Sequence, residues 1–183
     1  TAPAVTLAQS RAQVVLPDSS TIEIGAATRV RFGAFNAVES GNPNVVALEL
    51  GALHFAIRHP AGGRANYRFV TPTSQIAVRG TDGYIVTGPS GTDFYCADCA
   101  PGDVTVTIGT RIFQLKTGDQ AIVIGATADT ANVDVVARPC GNPAAIALSD
   151  GKLGAAVPAA ERVDTTGSLG GDRMSARAIF KPM

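Results

Sequence analysis

The sequence predicts an all-β protein: a single domain of about ten short strands, built as a sandwich or a solenoid-like stack, with extended segments at both ends. Three observations carry this. Apolar and polar residues alternate with a period of two over most of the chain. Clusters of Gly, Pro, Asn and Asp interrupt that alternation at roughly 8 to 12 residue intervals, the spacing of strands joined by tight turns. The length, 183 residues, suits one packed core and is short for two.

In chain order, the first dozen residues, TAPAVTLAQSRA, are Ala-rich with one strand-length stretch, and residues 1–13 read as an extended N-terminal segment. In TIEIG, Ile22 and Ile24 share one face; in TRVRF, Val30 and Phe32 share one face and Arg29 and Arg31 the other. The long run VVALELGALHFAIRH places Val46, Leu48 and Leu50 on one side, reaches Gly51, and continues with Leu53, Phe55 and Ile57 alternating with Ala52, His54, Ala56 and Arg58. NYRFVT, SQIAVRG, GYIVTG, TDFYCA, DVTVTIG, RIFQLKTG, QAIVIG and ANVDVVA complete the strand series, separated by turns such as HPAGGRAN, TDG, GPSG, APGD and KTGD. Residues 14–140 form the patterned domain. From Gly141 the chain turns Gly/Ala-rich and weakly patterned, an extension with little apolar surface of its own to bury. Only AAVPAAERV carries a faint helical signal.

Charge narrows the function classes. Lys and Arg total 15 against 15 Asp and Glu, so no net positive field favours nucleic acid. Only 16% of residues are charged, against about 25% in typical soluble domains, and such a surface permits self-association. Polar, Gly or Pro residues break every apolar stretch before the roughly 18 residues a membrane helix requires. The chain opens TAPAVTLAQ without methionine, which predicts an exported protein that has lost a signal peptide, although a shortened chain opens the same way.

The run VVLPDSSTIEIGAATRVRF, then ALELGALHFAI, then NYRFVTPTSQIAVRGTDGYIV and finally DVTVTIGTRIFQLKTGDQAIVI resembles the FecR-domain family. The family's pattern opens "lpdGS.l.l...T.v", continues through an "l..Gal.f" strand to a "tPta.i.vrGT.f.v" centre, and closes "G.v.v......l..Gq". The resemblance covers roughly Val14 to Ile124, and TPTSQIAVRGTDGYIV, Thr71 to Val86, is its most specific part. It implies an all-β domain on the outer side of a membrane, as in periplasmic regulators that relay a transporter signal to a sigma factor. This sequence shows no anti-sigma segment, membrane helix or second signalling module, so the resemblance implies the domain and a non-enzymatic binding or scaffolding role. Within it, Arg79, Gly80 and Thr81 read as a structural corner: Arg79 ends a strand, Gly80 frees the backbone to turn, and Thr81 with Asp82 can bond local amides.

Candidate chemistry is sparse. The only histidines are His54, which faces away from Leu53, Phe55 and Ile57, and His59, which precedes Pro60 in a turn; both read as surface or inter-sheet residues. No GxSxG elbow, P-loop ending or calcium-loop spacing occurs. No catalytic residue, cofactor site or metal site is predicted. There remain Cys96, Cys99 and Cys140. CxxC followed by alanine is not a haem tether, a fourth zinc ligand is missing, and no helix follows to activate a thiol pair. A disulfide is the surviving reading. Cys96 and Cys99 lie an odd step apart, hence on opposite faces of a regular strand, and could bond each other only if the segment curls. Alternatively one of them reaches Cys140, closing a loop worth about 4 kcal/mol. Either choice leaves one cysteine over, for a bond between chains or a buried thiol.

The expected function is therefore an exported, non-enzymatic structural or interaction protein that associates with itself, through disulfide reinforcement or a peripheral strand such as PAVTLA or RAIFK, or with another exported protein. The alternative is a periplasmic sensor or signalling module that binds a protein partner.

Overall fold

The computed structural model describes residues 3–8, 10–36, 41–60, 63–125 and 131–137. Among the described residues, thirteen strands and no helix make up the fold. They are β1 (Ala4–Val5), β2 (Ala12–Val15), β3 (Thr21–Ile24), β4 (Arg29–Phe32), β5 (Asn44–Ala56), β6 (Tyr67–Val70), β7 (Gln75–Val78), β8 (Asp82–Gly88), β9 (Gly91–Asp98), β10 (Val104–Ile108), β11 (Arg111–Leu115), β12 (Asp119–Ile124) and β13 (Asn132–Ala137).

Everything is organised by β5. Its first half pairs with β4 on one side and, in parallel, with β6 on the other; its second half pairs with β3 and β8. Two sheets therefore share one strand. The first runs β1-β4-β5-β6-β7-β10-β11 and the second β2-β3-β5-β8-β9-β12-β13. Their facing sides enclose the core, where Phe55 of β5 stacks on Phe69 of β6 at 4.5 Å between ring centroids and lies 6.0 Å from Phe94 of β9. Ile22, Ile24, Val30, Leu48, Leu53, Ile76, Ile85, Val106 and Val123 fill in around these rings, the inward half of each alternating strand.

The sheet switch occurs at Gly51, whose φ of +98° lies in the left-handed region. A Cβ there would overlap Thr28, so the glycine is also what lets the β3–β4 corner close onto β5. Thr28 Oγ1 accepts from the Ala52 amide at 3.0 Å and donates to the Ala26 carbonyl at 3.0 Å, which pins the corner. Just before it, Arg29 pairs with Leu50 but Val30 with Leu48, so β5 carries one extra residue, a bulge. This corrects the sequence expectation for Leu50. Instead of joining Val46 and Leu48 in the core it is 42% exposed, and the inward set resumes with Leu53 and Phe55.

The N-terminal segment is paired into its own chain. β1 adds to β4 with Ala4 opposite Val30, and Thr6 Oγ1 donates to the Gly25 carbonyl at 2.6 Å and accepts from the Thr28 amide at 2.9 Å. PAVTLA is thus a strand of its own domain. In the turn that follows β2, Asp18 accepts from the Ser20 amide at 3.0 Å and from the Tyr67 hydroxyl at 2.6 Å. Burial and the Asp18 carboxylate both raise the Tyr67 pKa, so the phenol stays protonated and donating. The Gly/Ala-rich extension from residue 141, with its faint helical signal, lies outside the described residues, as does Cys140.

Candidate functional site

One row of residues crosses the outward face of the second sheet. Register places Gln13 beside Glu23, Glu23 beside His54, His54 beside Tyr84 and Tyr84 beside Tyr95, one from each of β2, β3, β5, β8 and β9. Each sits mid-strand between inward apolar neighbours, so alternation directs all five to the same side. His54 is the hub. Its Nε2 lies 2.9 Å from Asp82 Oδ1 and its Nδ1 3.4 Å from Glu23 Oε2, and its ring stacks on Tyr84 at 4.3 Å and 17°. Gln13 Nε2 donates to the other Glu23 oxygen at 3.1 Å.

Burial alone would lower the His54 pKa, but the hydrogen bonds and charges of Asp82 and Glu23 outweigh it and raise the value from 6.5 to about 9. At neutral pH the ring is an imidazolium donating from both nitrogens. It has no lone pair for a general base. The two carboxylates sit on opposite edges of the ring, so they share no point at which a cation could be held, and among the described residues no group of His, Cys, Asp and Glu side chains converges on one. Tyr84 and Tyr95 continue the row with centroids 6.4 Å apart, but both are buried, as is Glu23, so Asp82, its side chain 38% exposed, is the part of the arrangement that reaches solvent most.

The cysteine loop abuts this cluster. Cys96 and Cys99 are bonded to each other, with Cα atoms 5.9 Å apart. The register between β8 and β9 explains how an odd step can do this: Asp82 pairs with Asp98 but Gly83 with Cys96, so Ala97 is an extra, bulged residue that brings both sulfurs to the inward side. The turn after β11 braces the loop, with the Cys99 amide donating to Thr117 Oγ1 at 2.8 Å and the Gly118 amide to the Cys96 carbonyl at 2.8 Å. Cys99 Sγ reaches the Asp82 carbonyl at 3.8 Å. The disulfide therefore helps to set the backbone of a His54 partner. The loop it closes is short, worth about 2 kcal/mol in chain entropy.

Arg79, Gly80 and Thr81 form the corner between β7 and β8. The Arg79 amide donates to the Asp103 carbonyl at 2.9 Å and the Ile57 amide to the Thr81 carbonyl at 2.8 Å. Gly80 has φ +115°, and a Cβ there would enter the His59 ring, so His59 packs on the corner. Behind the TPTS turn lies a buried hydroxyl cluster: Thr92 Oγ1 is 2.7 Å from Thr73 Oγ1, 2.9 Å from Thr87 Oγ1 and 2.9 Å from Thr71 Oγ1, and Thr71 Oγ1 is 2.9 Å from Ser74 Oγ. A shallow cleft of about 230 Å³ opens beside it, between Pro72, Gln75, Thr107 and Gly109.

The sequence singled out His54, and Asp82 only as a corner residue able to bond local amides, but not Glu23 or Tyr84. Each shows the same weak signal, a polar or aromatic residue at the outward position of an alternating strand. Only the pairing of strands distant in sequence brings them together.

A family model described as FecR protein matches residues 3–110, from β1 to the end of β10. No curated protein matches the chain. Two crystal structures of a protein assigned as an anti-sigma factor from Parabacteroides distasonis ATCC 8503 share the fold, with TM-scores of 0.61 and 0.60 at 16% identity. The alignments cover 75% and 74% of this chain, which spans only 60% and 59% of those chains. The matched region takes in ten of the thirteen described strands, β1 to β10, with the β5 switch, the His54 row and the disulfide, and on that match the chain belongs to the FecR family.

Proposed function

We propose that this chain is a sensing module of the FecR type, acting on the outer side of a membrane and binding a protein partner without turning over a substrate. The carrying observation is the family match over residues 3–110. The assignment of its structural neighbours as an anti-sigma factor, a class defined by binding another protein, points the same way. The His54 cluster suits a role without turnover, because the imidazolium is bonded at both nitrogens and leaves no free base. No cofactor or nucleic acid enters the reading. The self-associating structural alternative loses one support, since PAVTLA already completes its own sheet.

The test is calorimetric titration of the purified chain with the periplasmic signalling domain of the outer-membrane receptor encoded nearest its gene. A saturable isotherm supports the proposal. Absence of heat, together with a size distribution that shifts with reductant, replaces it by the self-associating reading.

A further inference from the structure

The formal charges of the chain cancel, yet they are sorted between the two sheets. Among the described residues, the strands of the first sheet carry Arg29 and Arg31 on β4, Arg68 on β6 and Arg111 on β11, with Glu49 of the shared β5 as their one acid. The other strands of the second sheet carry Glu23, Asp82, Asp93, Asp98 and Asp119, and neither Lys nor Arg. Arg79 follows directly on β7. Alternation turns Arg29, Arg31, Arg68 and Arg79 outward, because Val30, Tyr67, Phe69 and Val78 are buried in the core. All four arginines are exposed, and no described strand is layered over them.

Their partners differ. Arg29 and Arg31 share the Glu49 carboxylate, and Arg111 donates to the Ala131 carbonyl. Arg68 and Arg79 pair with no acid among the described residues. Register puts Arg68 opposite Ala77, so Arg79, two places on, lies diagonally across from it, about 7 to 8 Å away. Arg64 stands beside them: it is 61% exposed and 3.8 Å from Asp103, whose carbonyl accepts from the Arg79 amide. Val45, Ala77 and Thr105 adjoin Arg68 in one row across the sheet, a low floor above which the guanidinium groups stand clear. Three neighbouring cations repel one another until carboxylates come between them.

We propose that the outward face of the first sheet docks an acidic surface of a protein partner, with Arg68 and Arg79 as the central contacts and Arg64 beside them. The inference rests on the partner-binding reading above and assigns the face that reading lacks. Charge complementarity carries it, and the planar fork of arginine matches a carboxylate. Ile112, on the same side of β11 and 67% exposed, adds an apolar contact at the edge. A second copy of the chain offers this face little, since Glu23, Asp93 and Asp119 of the second sheet are only 7%, 8% and 9% exposed. Three arginines also hold a chain to a lipid layer only weakly.

Calorimetric titration with the same receptor signalling domain tests it, at low and at physiological ionic strength, with urea unfolding as the check that each variant is folded. The wild type should bind more tightly at low salt. Arg68→Glu with Arg79→Glu should weaken binding by about tenfold or more and remove most of the salt dependence, whereas Arg68→Lys with Arg79→Lys, which keeps the charges, should keep it. Should the Glu pair unfold, Arg68→Gln with Arg79→Gln takes its place and should lose the salt dependence in the same way. Binding that is unchanged in the folded charge-altered chain overturns the proposal and leaves the partner reading standing; no binding by the wild type overturns both. Sedimentation with phosphatidylglycerol vesicles should leave the wild type in solution, and pelleting that the Glu or Gln pair abolishes would overturn the protein assignment in favour of a lipid surface.

Discussion

His54 should tie the stability of the fold to pH with a sign that can be worked out. In the unfolded chain the imidazole titrates near 6.5; in the fold it holds its proton to about pH 9. Below the lower value both states carry the proton, and the stabilisation by Glu23 and Asp82 is fully present. Between the two values only the folded state keeps it, so stability falls as pH rises, and the contribution is gone above about pH 9. The displacement converts to a ceiling of about 3 kcal/mol. The Asp82 side chain is 38% exposed, however, and solvent screening there brings the expected loss to about 1.5 kcal/mol. The assay is urea unfolding of the wild type and His54→Gln at matched pH from about 6 to about 10, taking the difference at each pH so that other titrating groups cancel. Proton NMR of the His54 ring supplies the folded-state pKa directly. A His54 titration near its ordinary value, or a wild-type-minus-variant difference that stays flat over this range, would refute the reasoning.

Three further outcomes are expected. Gly51→Ala forces a side chain into Thr28 at a positive φ and should cost about 3 kcal/mol in urea unfolding, because both sheets depend on that corner. Cys96→Ser with Cys99→Ser should cost about 2 kcal/mol and lower the His54 pKa measured by NMR, since the Ala97 bulge that sets Asp82 loses its clamp. Thr92→Val leaves the hydroxyls of Thr71, Thr73 and Thr87 short of a buried partner and should cost about 2 kcal/mol in thermal or urea unfolding.

Most strands were legible in the sequence because burial between two sheets imposes a period of two, as in TIEI, RVRF and VTVTI. What alternation cannot reveal is where it breaks. Leu50 continues the even-numbered set of Val46 and Leu48 but sits after a bulge whose cause lies in the pairing with Arg29 and Val30. The same holds at Ala97, where a local extra residue lets Cys96 meet Cys99 and leaves the longer bridge to Cys140 unused. β1 and β2 were the least visible strands, being two and four residues long in an Ala-rich stretch. For the site, the sequence offered His54 as an outward residue but not its partners: Glu23 lies 31 positions away and Asp82 28, a proximity created by sheet order alone.

β5 belongs to both sheets, so the sandwich has no seam along which one half could detach while the other survives. Pulling β5 out of register in one sheet necessarily drags its continuation in the other. Such a spine makes loss of structure all-or-none, and a protein that gripped the β3–β5–β8 surface would strain the β4–β5–β6 surface through covalent bonds, without any need for a relay of side chains.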